Sequence, residues 1–276
     1  MDKYDTVIIS GGGAKGIAAL GILQSAIDNN KLTKVKKYIG TSIGSIIAYL
    51  LCIGYTPIEL IICLHQSAIL DELRIFNIGN IITGNGVTKW SIINNFLEKI
   101  TINKVGFLLT LEDIYNKYSL ELVLCTYNYS LRKKEYISYK NYPKIPSLIA
   151  IRMSCNLPLI FDRFKYMGCY FIDGGIVDNF PLCLAKDNEK TLAIKLADSR
   201  DNYDDKKFDI LEYIFDIICI HVEEYNKDEI LKVKSNCDII NIEIKDMNIY
   251  KFHISLKQIF DLFSLGYKKY AKYNLK

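Results

Sequence analysis

The sequence predicts an α/β fold built around a mostly parallel sheet with helices on both sides. Three observations carry that expectation. A short, wholly apolar strand, Val7-Ile8-Ile9, runs into the glycines Gly11 to Gly13 and then into a helical stretch. A second β-favouring segment, residues 34–39, runs into Gly40-Thr41-Ser42-Ile43-Gly44 and another helical stretch. Strand-like and helical runs then recur along the chain, the order that a parallel sheet with helical crossovers requires.

The elements follow in order. The first helix spans about 14–27, with apolar positions Ile17, Leu20, Leu23 and Ile27 on one face, and Asn29-Asn30-Lys31 ends it. The second begins near Gly44 and carries Ile46, Ile47, Tyr49 and Leu50. Pro57 opens a third helical stretch, "PIELIICLHQSAIL", at a first-turn position where its missing N–H costs nothing. Thr110-Leu111-Glu112-Asp113 reads as a capped helix start. The runs "LELVLCTYNY" and "KKEYISY" read as a strand pair, and "PSLIAIRMSC" as a short helix stopped ahead of Pro158. The run "FKYMGCYFIDGG" reads as one strand ending in the turn Gly174-Gly175. A strand near 191–196, a long helix around 207–220, a strand at 238–244 and a terminal helix from about Ser255 complete the chain. No repeat or linker interrupts it. Residues 1–276 therefore read as one domain, with the motifs in about 5–195 and an extension over about 196–276.

Composition narrows the function. Half of the residues are hydrophobic and 24% are charged, which suits a folded globular chain and not a disordered one. A net charge of +4 falls far short of the basic stripe of a nucleic-acid binder, and no nucleic-acid partner is expected. It suits transient contact with an anionic membrane surface, although ordinary lysine-rich solubility is the favoured reading. Eight scattered cysteines form no C-x-x-C pair, which points to a reducing compartment over a disulfide framework or metal site. The start "MDKYDTVIIS" lacks a signal-peptide layout, and no apolar run reaches the about 18 residues of a membrane span. The expectation is an intracellular protein, soluble or peripherally bound to membrane.

The first glycine turn, "GGGAKG" (11–16), presents successive backbone N–H groups ahead of a helix N-terminus and so favours negative charge. Ile17 and Ala18 after Gly16 exclude a Walker A loop. Gly11, Gly13 and Gly16 match a dinucleotide fingerprint, but the second strand closes without the acid that would hold a ribose. An oxyanion hole is the other use. Taken alone, the loop leaves a nucleotide-binding module and an acyl-transfer site both open. The second turn, Gly40-x-Ser42-x-Gly44 between strand and helix, has the form of a nucleophile elbow.

A serine nucleophile needs a base. His65 and His221 lie in apolar helical runs and read as structural or surface residues, and His253 is left open. Asp173 is the stronger candidate, because it ends an apolar strand and the glycines behind it turn the chain away. Asp178, past the turn, reads as a loop or cap residue.

Together these stretches resemble the patatin-like phospholipase family: a glycine loop after the first strand, G-x-S-x-G after the second, and Asp173-Gly174-Gly175 much later. "RMSCNLPLIF" (152–161) and "IGSIIAYLLCIGYTPIEL" resemble two further blocks of that family, and the likeness covers about residues 5–195. The resemblance implies a three-layer fold and a Ser–Asp dyad without catalytic histidine. Ser42 would be the nucleophile and Asp173 the proton acceptor. Amides of the Gly11, Gly12 and Gly13 loop would form the oxyanion hole, with Gly12 and Gly13 as the preferred donors, and Lys15 receives no chemical role. No metal or cofactor is called for. The implied substrates are phospholipids, lysophospholipids or acylglycerols. A catalytically silent lipid-binding relative is the other reading within the family. Met153 stands where the family often has alanine, and is expected to narrow the cleft. The terminal helix "QIFDLFSLGYKKYAKYNLK" is apolar on one face; packing on its own domain is favoured over resting on a membrane.

Overall fold

The computed structural model describes residues 3–67, 69–73, 79, 86–199, 210–233, 235–245, 247 and 254–275. Among these, eight strands form one sheet: β1 (Thr6–Ile9), β2 (Lys37–Thr41), β3 (Glu121–Asn128), β4 (Lys133–Ile137), β5 (Phe164–Tyr166), β6 (Cys169–Asp173), β7 (Thr191–Ser199) and β8 (Cys237–Lys245). The β3-β2-β1-β7-β8 core is parallel throughout, whereas β4, β5 and β6 join antiparallel. Helices α1 (Gly16–Asp28), α2 (Ile43–Cys52), α3 (Pro57–Gln66), α4 (Ile69–Glu72), α5 (Trp90–Val105), α6 (Leu111–Tyr118), α7 (Ser147–Ser154), α8 (Ile210–Lys232) and α9 (Leu256–Asn274) accompany it. The sheet is apolar on both faces. Val7 and Ile9 enter a large core with α1, while Ile8, Ile39 and Ala193 enter a smaller one with Phe180 and Leu182. The expected mostly parallel sheet flanked by helices is what the chain forms.

One register decides where the chemistry sits. Along β3, Leu124 and Cys125 pair with β2 on one edge and β4 on the other, whereas Thr126 pairs with Glu135 of β4 and Asp173 of β6. A strand residue has only two edges. β2 and β6 therefore share the same side of β3 and meet end to end, with Thr41 opposite Cys125 and Asp173 opposite the next residue, Thr126. β3 acts as a common rail that delivers residues 42 and 173 to one point.

Two expectations need correcting. The run 164–173 is a hairpin rather than one strand, because Met167 (φ 44°) and Gly168 (φ 82°) form a two-residue turn between β5 and β6. The stretch 57–70 is not one helix: α3 ends at Gln66. Thr56 caps α3 in a reciprocal box with Glu59, and Thr110 caps α6 with Asp113 in the same way.

The region beyond 196 is structurally tied to the motif-bearing part. β8 extends the parallel sheet, and α9 lies against α1, burying Ile259, Leu262, Gly266 and Tyr270. The two helices touch backbone to backbone: a Cβ on Gly21 would lie 2.0 Å from the Phe263 carbonyl oxygen, and one on Gly266 1.9 Å from that of Ala18. No single described helix is long and apolar enough to cross a membrane; α2 and α3 reach that composition only together, across a 113° bend.

Candidate functional site

Ser42 occupies the sharp turn between β2 and α2, at φ 54° and ψ −125°, a left-handed geometry unfavourable for a residue with a side chain. The turn is tight enough that its flanks admit only glycine. A Cβ on Gly40 would lie 2.4 Å from the Gly44 backbone, and one on Gly44 2.2 Å from the Ile9 carbonyl oxygen. Two side chains from elsewhere in the chain, Ser154 and Cys155, hold the turn together with that of Thr41 at the end of β2. The Ser42 N–H donates to Ser154 Oγ (3.2 Å), the Cys155 thiol donates to the Ser42 carbonyl (3.1 Å), and Thr41 Oγ1 donates to the Asp178 carbonyl (3.1 Å). Ser154 is the hub, since its hydroxyl donates to the Cys125 carbonyl at 2.6 Å and lies 2.7 Å from Ser45 Oγ. The sequence singled out the 152–161 block without assigning Ser154 this position.

Ser42 Oγ donates to Asp173 Oδ2 at 2.6 Å. The other carboxylate oxygen, Oδ1, accepts the Gly175 N–H at 2.7 Å. Asp173 is 1% exposed. Burial raises its pKa to about 6, although the hydrogen bonds from Ser42 and Gly175 oppose the rise. Asp178, read from sequence as a loop or cap residue, is instead fully buried. It accepts from Lys134 Nζ at 2.8 Å and from the Tyr136 hydroxyl, and makes no hydrogen bond to Ser42. It anchors the segment after Asp173 to β4.

The glycine loop stands beside Ser42. A Cβ on Gly11 would come within 3.1 Å of Ser42 Cβ. The Gly11 N–H donates to the Asn179 carbonyl at 3.2 Å, whereas the N–H groups of Gly12 and Gly13 have no acceptor among the described residues. Gly16 opens α1. The loop is locked to β7 through Ser10, whose N–H reaches the Ile194 carbonyl (3.0 Å) and whose hydroxyl accepts the Leu196 N–H (2.9 Å).

Ser42, Asp173 and Gly11 to Gly13 all line one cavity of about 470 Å³. Much of its wall is apolar, drawn from Leu50, Leu60, Leu64, Leu73, Trp90, Ile93, Phe96, Leu97 and Phe161. Lys15, 1% exposed, also lines it. Met153 is buried but does not line it, so the expected narrowing of the cleft does not occur: the side chain enters the core behind α7. His65 and His221 are exposed and lie off the cavity, and His253 falls outside the described residues. Among the described residues no cluster of potential metal ligands is present.

Several known proteins are similar to this chain. A probable lipid hydrolase, 463L of Invertebrate iridescent virus 6, is 31% identical over 66% of this chain, which spans 63% of that relative's length. An uncharacterized mimivirus protein, R571, is 26% identical over 96% of the chain and 92% of its own length. Among solved structures, VipD from Legionella pneumophila matches with a TM-score of 0.65 at 18% identity, over 98% of this chain and 66% of VipD. The ExoU–SpcU complex of Pseudomonas aeruginosa matches with a TM-score of 0.54 at 14% identity, over 99% of this chain and 52% of that one. These likenesses establish the shared fold. The family model described as patatin-like phospholipase matches residues 7–186, and the chain belongs to that family.

Proposed function

We propose that the protein is a lipid acyl hydrolase that cleaves fatty-acyl esters by a Ser42–Asp173 dyad through an acyl-enzyme. The observation that carries this reading is the 2.6 Å hydrogen bond from Ser42 Oγ to a buried carboxylate beside two unengaged backbone N–H groups. Asp173, with a pKa of about 6, is ionised at neutral pH yet basic enough to accept a proton during attack. Oδ1 is held by Gly175, which leaves Oδ2 to receive the Ser42 proton as Oγ adds to the acyl carbonyl. The negative charge on the former carbonyl oxygen falls to the N–H groups of Gly12 and Gly13; Gly11 is already committed to Asn179. Asp173 returns the proton to the departing alcohol. It then activates the water that releases the fatty acid and regenerates Ser42.

The apolar wall suits an acyl chain, and the substrate class is a phospholipid, lysophospholipid or acylglycerol. The glycine loop and Ser42 share one cavity, which supports one chemistry in place of a separate nucleotide site. The test is covalent labelling with a fluorophosphonate, followed by turnover of a lysolipid. Labelling at Ser42, with Ser42→Ala and Asp173→Asn each losing about 10³-fold or more in kcat, is expected. Full turnover by folded Ser42→Ala sinks the reading.

A further inference from the structure

Resting on that hydrolase reading, we infer that the cavity selects lipids with a zwitterionic phosphodiester head group bearing a primary ammonium, held by Lys195, Asn226, Glu223 and Glu243. These residues sit in the extension beyond the motifs and line the same cavity as Ser42 and Asp173. Lys195 pairs with Asn241 across β7 and β8, and Ala197 with Glu243, so this row of side chains shares one face of the sheet. Glu223 and Asn226 come from α8 and line the same space. β7 is two strands from β2, about 10 Å at strand spacing, on the far side of the glycine loop from the elbow. A head group attached to an ester at Ser42 has to occupy that side if its acyl chain takes the apolar wall.

The chemistry there is specific. The Lys195 side chain is half-buried and makes no ion pair or hydrogen bond among the described residues. Burial and Lys227 lower its pKa, while Glu223 and Glu243 pull the other way. Asn226 is 3% exposed, and its Oδ1 accepts no hydrogen bond. A buried amide oxygen without a donor is costly unless something fills the space. Lys227 is already held by Glu224 at 2.6 Å, and Asn241 leans on Glu243 at 3.2 Å. Among the described residues the site thus offers one cation without an ion pair, the carboxylates of Glu223 and Glu243 and one orphan acceptor, with Asp216 a third carboxylate on the same wall. A neutral acylglycerol brings no anion to Lys195. A purely anionic head group meets two carboxylates. A phosphodiester on Lys195, with an ammonium toward Glu223 and Glu243 and one N–H on Asn226 Oδ1, matches all four. Choline, lacking N–H, leaves Asn226 unmatched.

The test compares four lipids with one acyl chain: lysophosphatidylethanolamine, lysophosphatidylcholine, lysophosphatidylglycerol and a monoacylglycerol. The expected kcat/KM is highest for the ethanolamine lipid, by about tenfold over the glycerol phospholipid and the monoacylglycerol. Lys195→Met should cost about tenfold on the ethanolamine lipid, leave the monoacylglycerol within about twofold and leave fluorophosphonate labelling of Ser42 unchanged. Glu243→Gln should narrow the gap to the phosphatidylglycerol analogue. A flat ranking in the wild type, or equal losses on all four lipids in Lys195→Met, overturns the inference while leaving the hydrolase intact. Should Ser42 prove unreactive, Kd values of the full chain for ether-linked versions of the same four lipids decide. A preference for the ethanolamine lipid that Lys195→Met removes supports the assignment, and equal Kd values overturn it.

Discussion

Replacing Asp173 with Asn should stabilise the protein at neutral pH while abolishing its activity, and the stabilisation should vanish in acid. The carboxyl is buried, and its pKa rises from 3.8 to about 6 on folding. A raised pKa in an acid means that the folded chain binds the proton more tightly than the unfolded one. Stability therefore falls as pH rises from about 4 to about 6, and the full penalty persists above that window. A gap of about two pH units corresponds to about 3 kcal/mol at roughly 1.4 kcal/mol per unit. The Asn amide still accepts from Gly175 and still meets Ser42, with about 1 kcal/mol lost to weaker neutral hydrogen bonds. The net gain at pH 7.5 is about 2 kcal/mol, or roughly 5 °C in Tm for a chain of this size. Urea and thermal unfolding of both proteins from pH 4 to 8 measure it. A gain independent of pH, or a variant less stable than wild type at pH 7.5, refutes the claim that the buried carboxylate is held at a cost.

The same titration predicts that kcat/KM for a lysolipid rises with pH along a limb centred near 6, read from initial rates between pH 4.5 and 8. Ser154→Ala removes the acceptor for the Ser42 N–H and the donor to the Cys125 carbonyl. It should cost about 2 kcal/mol of stability and slow labelling of Ser42 about tenfold or more. Lys134→Met leaves the buried Asp178 carboxyl with one partner fewer, and chemical denaturation should show a loss of about 3 kcal/mol. Gly266→Ala forces a methyl against the Ala18 carbonyl and should lower Tm, by about 3 kcal/mol in stability terms, with labelling of Ser42 measured on the remaining folded protein nearly unchanged.

What was legible in the sequence was local. Gly40 and Gly44 announce the elbow because only a bare backbone fits where their Cβ atoms would strike Gly44 and Ile9. Gly174 and Gly175 mark the end of β6 by the same logic, and they flagged Asp173. The features that escaped depend on distant partners. Asp178 has an unremarkable neighbourhood in sequence, and its burial arises only when Lys134 and Tyr136 arrive from β4. The hairpin at 164–173 turns on Met167 and Gly168, and methionine carries no turn signal. Ser154 looks like any helix-end serine until the Ser42 N–H and the Cys125 carbonyl converge on it from two other elements. Lys195 and Glu243, 48 positions apart by number, share a face only through the β7–β8 register.

That β1 lies between β2 and β7 has a consequence for biosynthesis. The glycine loop takes its position from Ser10, and Ser10 is fixed by Ile194 and Leu196, residues that leave the ribosome long after the elbow does. A nascent chain carries Ser42 early but has no settled place for the glycine loop until Ile194 and Leu196 have followed it out of the ribosome. A hydrolase of the proposed kind, wired in this way, is silent while it is being made.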